Sequence, residues 1–222
     1  LAMIMSAIMG FASAVVNGIP MKVGDINNDG YNAVQLGSDK DALKALWVQL
    51  KMNGALAEGI GIREMPEEWF ESIDGKNDNP MITSIKVFYC NRLMAMHKFE
   101  QTKEEIKKVL ESNMVLVGVY RYLLICDYIY CELIDGNIIE AEEFYTKDLQ
   151  KFMKSMKKFP AILRTKYTYE LLHNKDSKQA EKLRTLFNIM SEKYPYTSDI
   201  EAENELMNIA KSIYDSVMDN KK

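Results

Sequence analysis

Residues 115–134, which read V-L-V-G-V-Y-R-Y-L-L-I-C-D-Y-I-Y-C-E-L-I, decide the fold of this chain. This run is apolar for long enough to suggest a helix that is hydrophobic on most of its surface. Three charged residues, Arg121, Asp127 and Glu132, interrupt it, and such charges are costly in the hydrocarbon core of a membrane. The stretch is therefore predicted to be the buried central helix of a soluble helical domain.

Helical periodicity continues on both sides of this stretch, from residue 80 to the end of the chain. Further helices are predicted over 81–112, 138–159, 161–172, 177–194 and 200–218. Thr102 and Glu105 have the spacing of a capping box, which predicts a helix start there. Apolar residues recur on one face of the segments on either side of the central helix: Ile85, Phe88, Tyr89, Leu93, Met96, Phe144, Leu149, Phe152 and Met156.

The predicted helices pair into three units, 81–112, 115–158 and 161–194, each close to the ~34-residue length of a helix–turn–helix repeat. Ala180, early in a second helix, and Tyr194-Pro195 at its end resemble tetratricopeptide usage, although the W-x2-L-G-x2-Y pattern is missing. This resemblance implies a degenerate helical-repeat array, which would bind a peptide or protein partner on its concave face. A helical scaffold without a partner groove is the alternative.

Residues 38–79 are predicted to be linker helices that precede this repeat domain, which spans 80–222. Ser38 and Asp41 form a plausible capping pair, and the helix that they open is expected to continue to Gly59. A short helix with Pro66 in its first turn follows, and the D-G-K-N-D-N-P segment at 74–80 is the clearest linker. The apolar face of the first helix is predicted at Leu43, Leu46, Trp47 and Leu50.

Composition narrows the possible functions of the 222-residue chain. Hydrophobic residues make up 47% of it, so that burial can offset the entropy of ordering and disorder is excluded as the main state. Asp and Glu number 32 against 28 Lys and Arg, which leaves no basic surplus for a generic nucleic-acid partner. Fifteen Met with only five Pro and eleven Gly favour helices. The all-α class is therefore predicted.

The first sixteen residues, L-A-M-I-M-S-A-I-M-G-F-A-S-A-V-V, contain no charged side chain. As a helix they would span roughly 24 Å, somewhat less than the ~30 Å hydrocarbon core. Because the chain starts inside this apolar run, residues 1–16 are interpreted as the end of a transmembrane helix in a longer protein. A buried soluble helix or a signal-peptide segment is the alternative.

The segment that follows, N-G-I-P-M-K-V-G-D-I-N-N-D-G-Y-N over residues 17–32, carries the chemistry. Asp25, Asn27, Asp29 and Gly30 fit the start of a calcium loop and resemble a dockerin module. However, Leu36 occupies the twelfth position, where calcium normally takes a carboxylate. The calcium interpretation is therefore disfavoured.

A second resemblance joins this segment to the apolar run before it. Asn-x-x-Pro directly after a membrane helix, followed by Asp-Gly, resembles the second motif of the site-2 protease family of membrane zinc metallopeptidases. In that family the Asp is a zinc ligand, and an H-E-x-x-H on an earlier helix supplies two His. The present sequence contains no H-E-x-x-H, so that no catalytic residue is predicted within this chain.

Residues 17–37 are predicted to form the metal-Asp loop, and the resemblance implies roles for four residues in it. Asn17 and Pro20 match the substrate-cleft residues, and Asp29 matches the metal ligand because Gly30 follows it. Asp25 lies at the spacing more common in the family and is the alternative ligand, since the M-K-V-G-D-I-N-N spacer is longer than usual. Zinc is the implied cofactor, shared with His ligands that precede this chain.

The sequence therefore predicts the C-terminal portion of an intramembrane zinc metalloprotease, which would be inactive alone. The membrane and a protein or peptide bound by the helical tail are the expected partners, and the tail is expected in the cytoplasm because its cysteines form no pairs. The alternative is a non-enzymatic helical-repeat adaptor, either soluble or tethered to a membrane.

Overall fold

The computed structural model describes residues 2–23, 26–71 and 78–219, and it confirms the all-α class. Over these residues the only strands are the antiparallel pair Lys22–Val23 and Ile26–Asn27. Contacts divide the chain into two compact units, Leu1–Val48 and Gln49–Lys222. The α-helices in the described ranges are α1 (Ala2–Gly18), α2 (Asp29–Ser38), α3 (Lys40–Ala57), α4 (Pro80–Ala95), α5 (Phe99–Glu111), α6 (Gly118–Ile134), α7 (Ile138–Phe144), α8 (Lys147–Ser155), α9 (Pro160–Thr168), α10 (Ser177–Ser191) and α11 (Thr197–Asp219).

Helix α1 carries no charge, and none of its residues is buried. Among the described helices, none combines the length and the apolar character needed to cross a bilayer. The C-terminal end of α1 is followed by the two-residue strands and then by α2.

Helix α2 corrects the prediction that residues 17–37 form a loop, because the second half of that segment is helical. Its first turn is capped by Asn28, whose side-chain oxygen accepts a hydrogen bond from the Tyr31 backbone N–H at 2.9 Å. The capping prediction for the next helix is also wrong by one residue. Asp39 caps α3, since its carboxylate accepts from the backbone N–H of Asp41 at 3.0 Å, whereas the Ser38 hydroxyl donates to the Val34 carbonyl.

Helix α3 forms where the periodicity predicts it, but with a different face buried. Leu43, Trp47 and Leu50 are more than half exposed. The buried face is formed instead by small residues together with Val48 and Met52. The buried residues are Ala42, Ala45, Val48, Met52 and Ala55.

The second unit is built around α6, and the prediction of a buried central helix is confirmed. From Leu124 to Leu133 nearly every α6 side chain is buried, including the charged Asp127 and Glu132. Arg121 is exposed. Helix α6 packs against α4, α5, α7 and α9, and α9 in turn packs against α10 and α11.

Three predicted boundaries in this unit are corrected. Helix α5 begins at Phe99 rather than at Thr102, whose buried hydroxyl donates to the Lys98 carbonyl at 2.9 Å. The segment predicted as one helix over 138–159 is two helices, because the Thr146 hydroxyl caps a new helix by accepting from the Leu149 N–H. Residues Tyr169–His173 form a π-helical turn after α9. Most of the linker predicted at 74–80 lies outside the described residues.

Candidate functional sites

The Asp29 turn, defined as residues 28–30, is tied to the end of α1 by the side chain of Asn28. The Asn28 amide donates to the carbonyls of Val16 and Ile19, both at 2.6 Å. Its oxygen accepts from the backbone N–H of Met21 at 2.9 Å, besides the Tyr31 N–H that begins α2. One side chain thus satisfies carbonyls at the C-terminus of α1 and caps α2.

Gly30 completes this attachment because its Cα lies directly against the backbone of α1. A Cβ added at Gly30 would stand 2.3 Å from the Gly18 carbonyl oxygen and 3.0 Å from that of Asn17. Real Cβ atoms do not approach an oxygen so closely, so that only glycine fits at this position. The Asn28-Asp29-Gly30 sequence therefore fixes the start of α2 against the end of α1, within the Leu1–Val48 unit.

The residues predicted for a metal centre are only partly brought together. Asp29 is the first residue of α2 and is exposed, while Asn17 lies in the last turn of α1 and Pro20 just beyond it, both exposed. Asp25 lies outside the described residues. No group of three or more His, Cys, Asp or Glu side chains is arranged to hold a metal in the described part of the chain.

Asn28 was not predicted, although its side chain makes four hydrogen bonds in this turn. A signal for it existed, since Asn is a preferred N-cap and an acidic residue follows it in the first helical turn.

A second candidate site surrounds Arg164 on α9, in the Gln49–Lys222 unit. Its guanidinium is only 1% exposed and lies between two carboxylates, Asp127 on α6 and Glu203 on α11. Nε donates to Glu203 Oε2 at 2.9 Å, and one terminal nitrogen donates to Asp127 Oδ1. The other terminal nitrogen donates to the Thr165 hydroxyl at 2.9 Å.

This ionic cluster is held by the packing of three helices around it. The Arg164 guanidinium also lies 5.0 Å from the ring centroid of Tyr130, within the range of a cation–π interaction. The Tyr130 hydroxyl donates to the Leu206 carbonyl at 2.9 Å, which joins α6 to α11. The cluster was not predicted, because its members lie far apart in the sequence.

A cavity of about 230 Å³ opens beside the cluster. Asp127, Arg164, Glu203 and a further carboxylate, Asp199, contribute its charged wall. Its other walls come from α3, α4, α6 and α11, and from the segments around Ile62, Phe159 and Tyr194. The apolar residues among them are Met52, Leu56, Ile62, Phe88, Met94, Ala95, Leu123, Phe159, Pro160, Ala161, Ala202 and Leu206.

Burial disfavours the charged form of two carboxyl groups in this cavity. It raises the pKa of Asp127 to about 6, even though the Arg164 charge opposes the change. It also raises the pKa of Asp199 to about 6, and the negative charge of Glu203 adds to this effect. Buried groups of this kind beside a cavity are candidates for a functional site.

Replacing Asp199 with Asn is expected to stabilise the protein at pH 7 by about 1–2 kcal/mol, which would raise Tm by roughly 2–8 °C. The folded-state pKa of about 6 lies above the ordinary value of 3.8. The native state therefore loses stability as the pH rises from about 4 to 6, while Asn carries no such penalty. A pKa raised from 3.8 to about 6 would correspond to about 3 kcal/mol. Solvent access to the Asp199 side chain and its position at the start of α11 reduce this destabilisation.

Thermal unfolding at pH 7 and near pH 4 tests this expectation. The difference in Tm between the two proteins should shrink near pH 4, where the Asp199 carboxyl of the wild type is largely protonated. Asp148→Asn, on the exposed surface of α8, is the matched control and should change Tm little at either pH. A destabilising effect of Asp199→Asn at pH 7 would contradict the prediction.

Comparisons with models of protein families, with curated proteins and with solved structures found no match for this chain.

Proposed function

We propose that this chain is the C-terminal portion of a site-2-protease-like zinc metallopeptidase, in which Asp29 is one zinc ligand. The observation that carries the proposal is the attachment of the Asp29 turn to the end of an uncharged helix. Asn28 bonds carbonyls at that helix end at 2.6 Å, and Gly30 leaves no room for a side chain against Gly18. Asp29 thus stands at a defined, exposed position.

The described residues could supply only part of the ligand set that a zinc ion needs. Catalytic zinc sites take three protein ligands and keep one position for water, which the metal activates for peptide-bond hydrolysis. Asp29 supplies one carboxylate, and over residues 2–23, 26–71 and 78–219 no three His, Cys, Asp or Glu side chains are grouped to hold a metal. The two His ligands and the general base belong, in this proposal, to a preceding segment of the parent protein, and Asp25 is the alternative ligand.

Asn17 and Pro20 are proposed to border the substrate cleft. Both are exposed at the end of α1, on the segment to which Asn28 ties the Asp29 turn. The proposal places α1 at a membrane as the end of a transmembrane helix. Its support is the lack of charge in the helix and the exposure of its Met, Ile and Phe side chains.

The Gln49–Lys222 unit is proposed to be a soluble, cytoplasmic tail that binds a protein or peptide. Helix α4 packs on α5, α6 on α7, and α9 on α10, while α4, α6, α9 and α11 also pack in succession. This order is typical of stacked helical hairpins such as tetratricopeptide repeats. The three cysteines, Cys90, Cys126 and Cys131, are buried free thiols, as suits a reducing compartment.

The zinc content of the full-length parent protein tests the ligand assignment. Asp29→Ala is expected to weaken zinc binding by at least about 100-fold, since loss of even an outer-shell partner costs 10–100-fold. Asp25→Ala is expected to have a smaller effect, and the exposed Asp148→Ala none. Unchanged zinc content in both Asp29→Ala and Asp25→Ala would exclude this segment as a ligand source.

A non-enzymatic helical-repeat adaptor is the second candidate, favoured by the cavity beside Arg164 and by the succession of packed hairpins. The two proposals differ in what the parent protein must contain. The protease requires an H-E-x-x-H within an apolar segment before residue 1, whereas the adaptor does not. Sequencing the coding region that precedes residue 1 separates them.

A further inference from the structure

We propose that the cavity beside Arg164 receives a lysine side chain from a polypeptide partner, with the ammonium group held by Asp199 and Glu203. The inference rests on the proposed role of the Gln49–Lys222 unit in binding a partner, and it specifies the chemistry that this partner presents. It is independent of the zinc assignment at Asp29.

The charge of the cavity wall argues for a cationic ligand. Three carboxylates, Asp127, Asp199 and Glu203, line it against one guanidinium, Arg164. The Arg164 donors are already directed to Asp127, Glu203, Thr165 and the Cys126 carbonyl. When all of these groups are ionised, a net negative charge remains, which would repel an anion and attract a cation.

Asp199 is the carboxylate available to such a ligand. Its side chain is partly buried in the first turn of α11, and no hydrogen bond or ion pair reaches it from the described residues. Glu203, one helical turn further along α11, presents its Oε2 to Arg164 Nε at 2.9 Å, which leaves its second oxygen for another donor. An ammonium group has three donors and suits two carboxylates at this spacing.

The rest of the cavity suits the alkyl part of a lysine side chain. Four of its apolar residues, Phe88, Leu123, Phe159 and Leu206, come from different parts of the fold and line one space of about 230 Å³. Lysine buries its methylene stem along apolar surface while its charged end finds a polar partner. A bare metal ion would make no use of these apolar walls, and the described residues hold no cluster of three or more His, Cys, Asp or Glu side chains arranged to bind one.

The walls of the cavity come from helices that follow one another through the unit. Helices α4, α6, α9 and α11 contribute residues to it, and these are the helices that pack in succession along the unit. In stacked helical hairpins, a surface lined in this way is the extended concave face that binds partners. The lysine is therefore expected to lie within a segment of polypeptide.

A capped tripeptide, acetyl-Gly-Lys-Gly-amide, tests the proposal by saturation-transfer NMR with the 222-residue chain. The expected result is transfer to the lysine methylene protons, with Kd on the order of 1 mM. The matched peptide with norleucine in place of lysine keeps the alkyl stem without the charge and should bind at least about tenfold more weakly. Equal binding of the two peptides would overturn the charge assignment.

Two variants locate the binding. Asp199→Asn should weaken binding of the lysine peptide about tenfold while the protein remains folded, whereas Asp148→Asn on α8 should leave it unchanged. An unchanged affinity in Asp199→Asn would overturn the site. If n-butylammonium bound as tightly as the tripeptide, the cavity would recognise only the alkylammonium group, and the conclusion that the partner is a polypeptide would be overturned. The outcome of these binding experiments does not depend on the zinc content of Asp29→Ala. The lysine proposal and the zinc proposal can therefore be rejected independently of each other.

Discussion

Replacing Arg164 with Met is expected to destabilise the Gln49–Lys222 unit by about 3–5 kcal/mol. The guanidinium is the central member of a buried cluster in which Asp127 and Glu203 each accept a hydrogen bond from it. Methionine fills a similar volume but leaves both carboxylates without their cation in surroundings of low polarity. The penalty of an uncompensated buried charge exceeds the favourable energy that a typical hydrogen bond contributes.

Urea unfolding of the wild type and the variant measures this loss. Arg121→Met is the matched control, because Arg121 lies on the exposed side of α6, and it should change stability by less than about 0.5 kcal/mol. Adding Asp127→Asn and Glu203→Gln to Arg164→Met removes both unpaired charges and should recover much of the lost stability. An Arg164→Met protein as stable as the control would show that the cluster contributes nothing to folding.

The second large effect is expected at Gly30, where alanine should destabilise the Asp29 turn by about 2–4 kcal/mol. A Cβ at this position would lie 2.3 Å from the Gly18 carbonyl oxygen and 2.7 Å from its carbon. The obstacle is backbone, which side-chain rotation does not relieve, so that α2 must move away from the end of α1. The Asn28 bonds to Val16 and Ile19 would then lengthen or break.

Hydrogen exchange of the amides in residues 19–38 measures this displacement. Gly37→Ala is the matched control in the same helix, since a Cβ there meets nothing within 4 Å and alanine is the better helix former. Exchange should therefore accelerate in Gly30→Ala and stay equal or slow in Gly37→Ala. Under the zinc proposal, Gly30→Ala should also lower the zinc content of the proposed parent protein although Asp29 is retained. Equal protection in both variants would contradict the close packing of Gly30.

The helices of this protein were largely predictable because their signals are local. Apolar spacing and a few interrupting charges identified α6 as a buried helix, and the structure agrees. Where local signals compete, prediction was less successful. Thr102 has capping-box spacing, yet its hydroxyl bonds the Lys98 carbonyl within a helix that has already begun at Phe99.

The buried faces were less predictable than the helices. On α3, periodicity favoured the large apolar residues Leu43, Trp47 and Leu50, whereas the structure buries small residues beside them. Hydrophobicity alone ranks a large side chain above alanine. Which of the two faces is buried depends on the rest of the folded structure, and periodicity within one helix does not reveal it.

The sequence alone established the helical class, the central helix and an uncharged helix near residue 1, because each depends on residues within a few turns of one another. The attachment of the Asp29 turn through Asn28 and the cluster around Arg164 depended on tertiary packing. Arg164 lies 37 residues from Asp127 and 39 from Glu203, and no local pattern relates them. The three charged side chains form a buried cluster only when α6, α9 and α11 pack together and exclude water from the space between them.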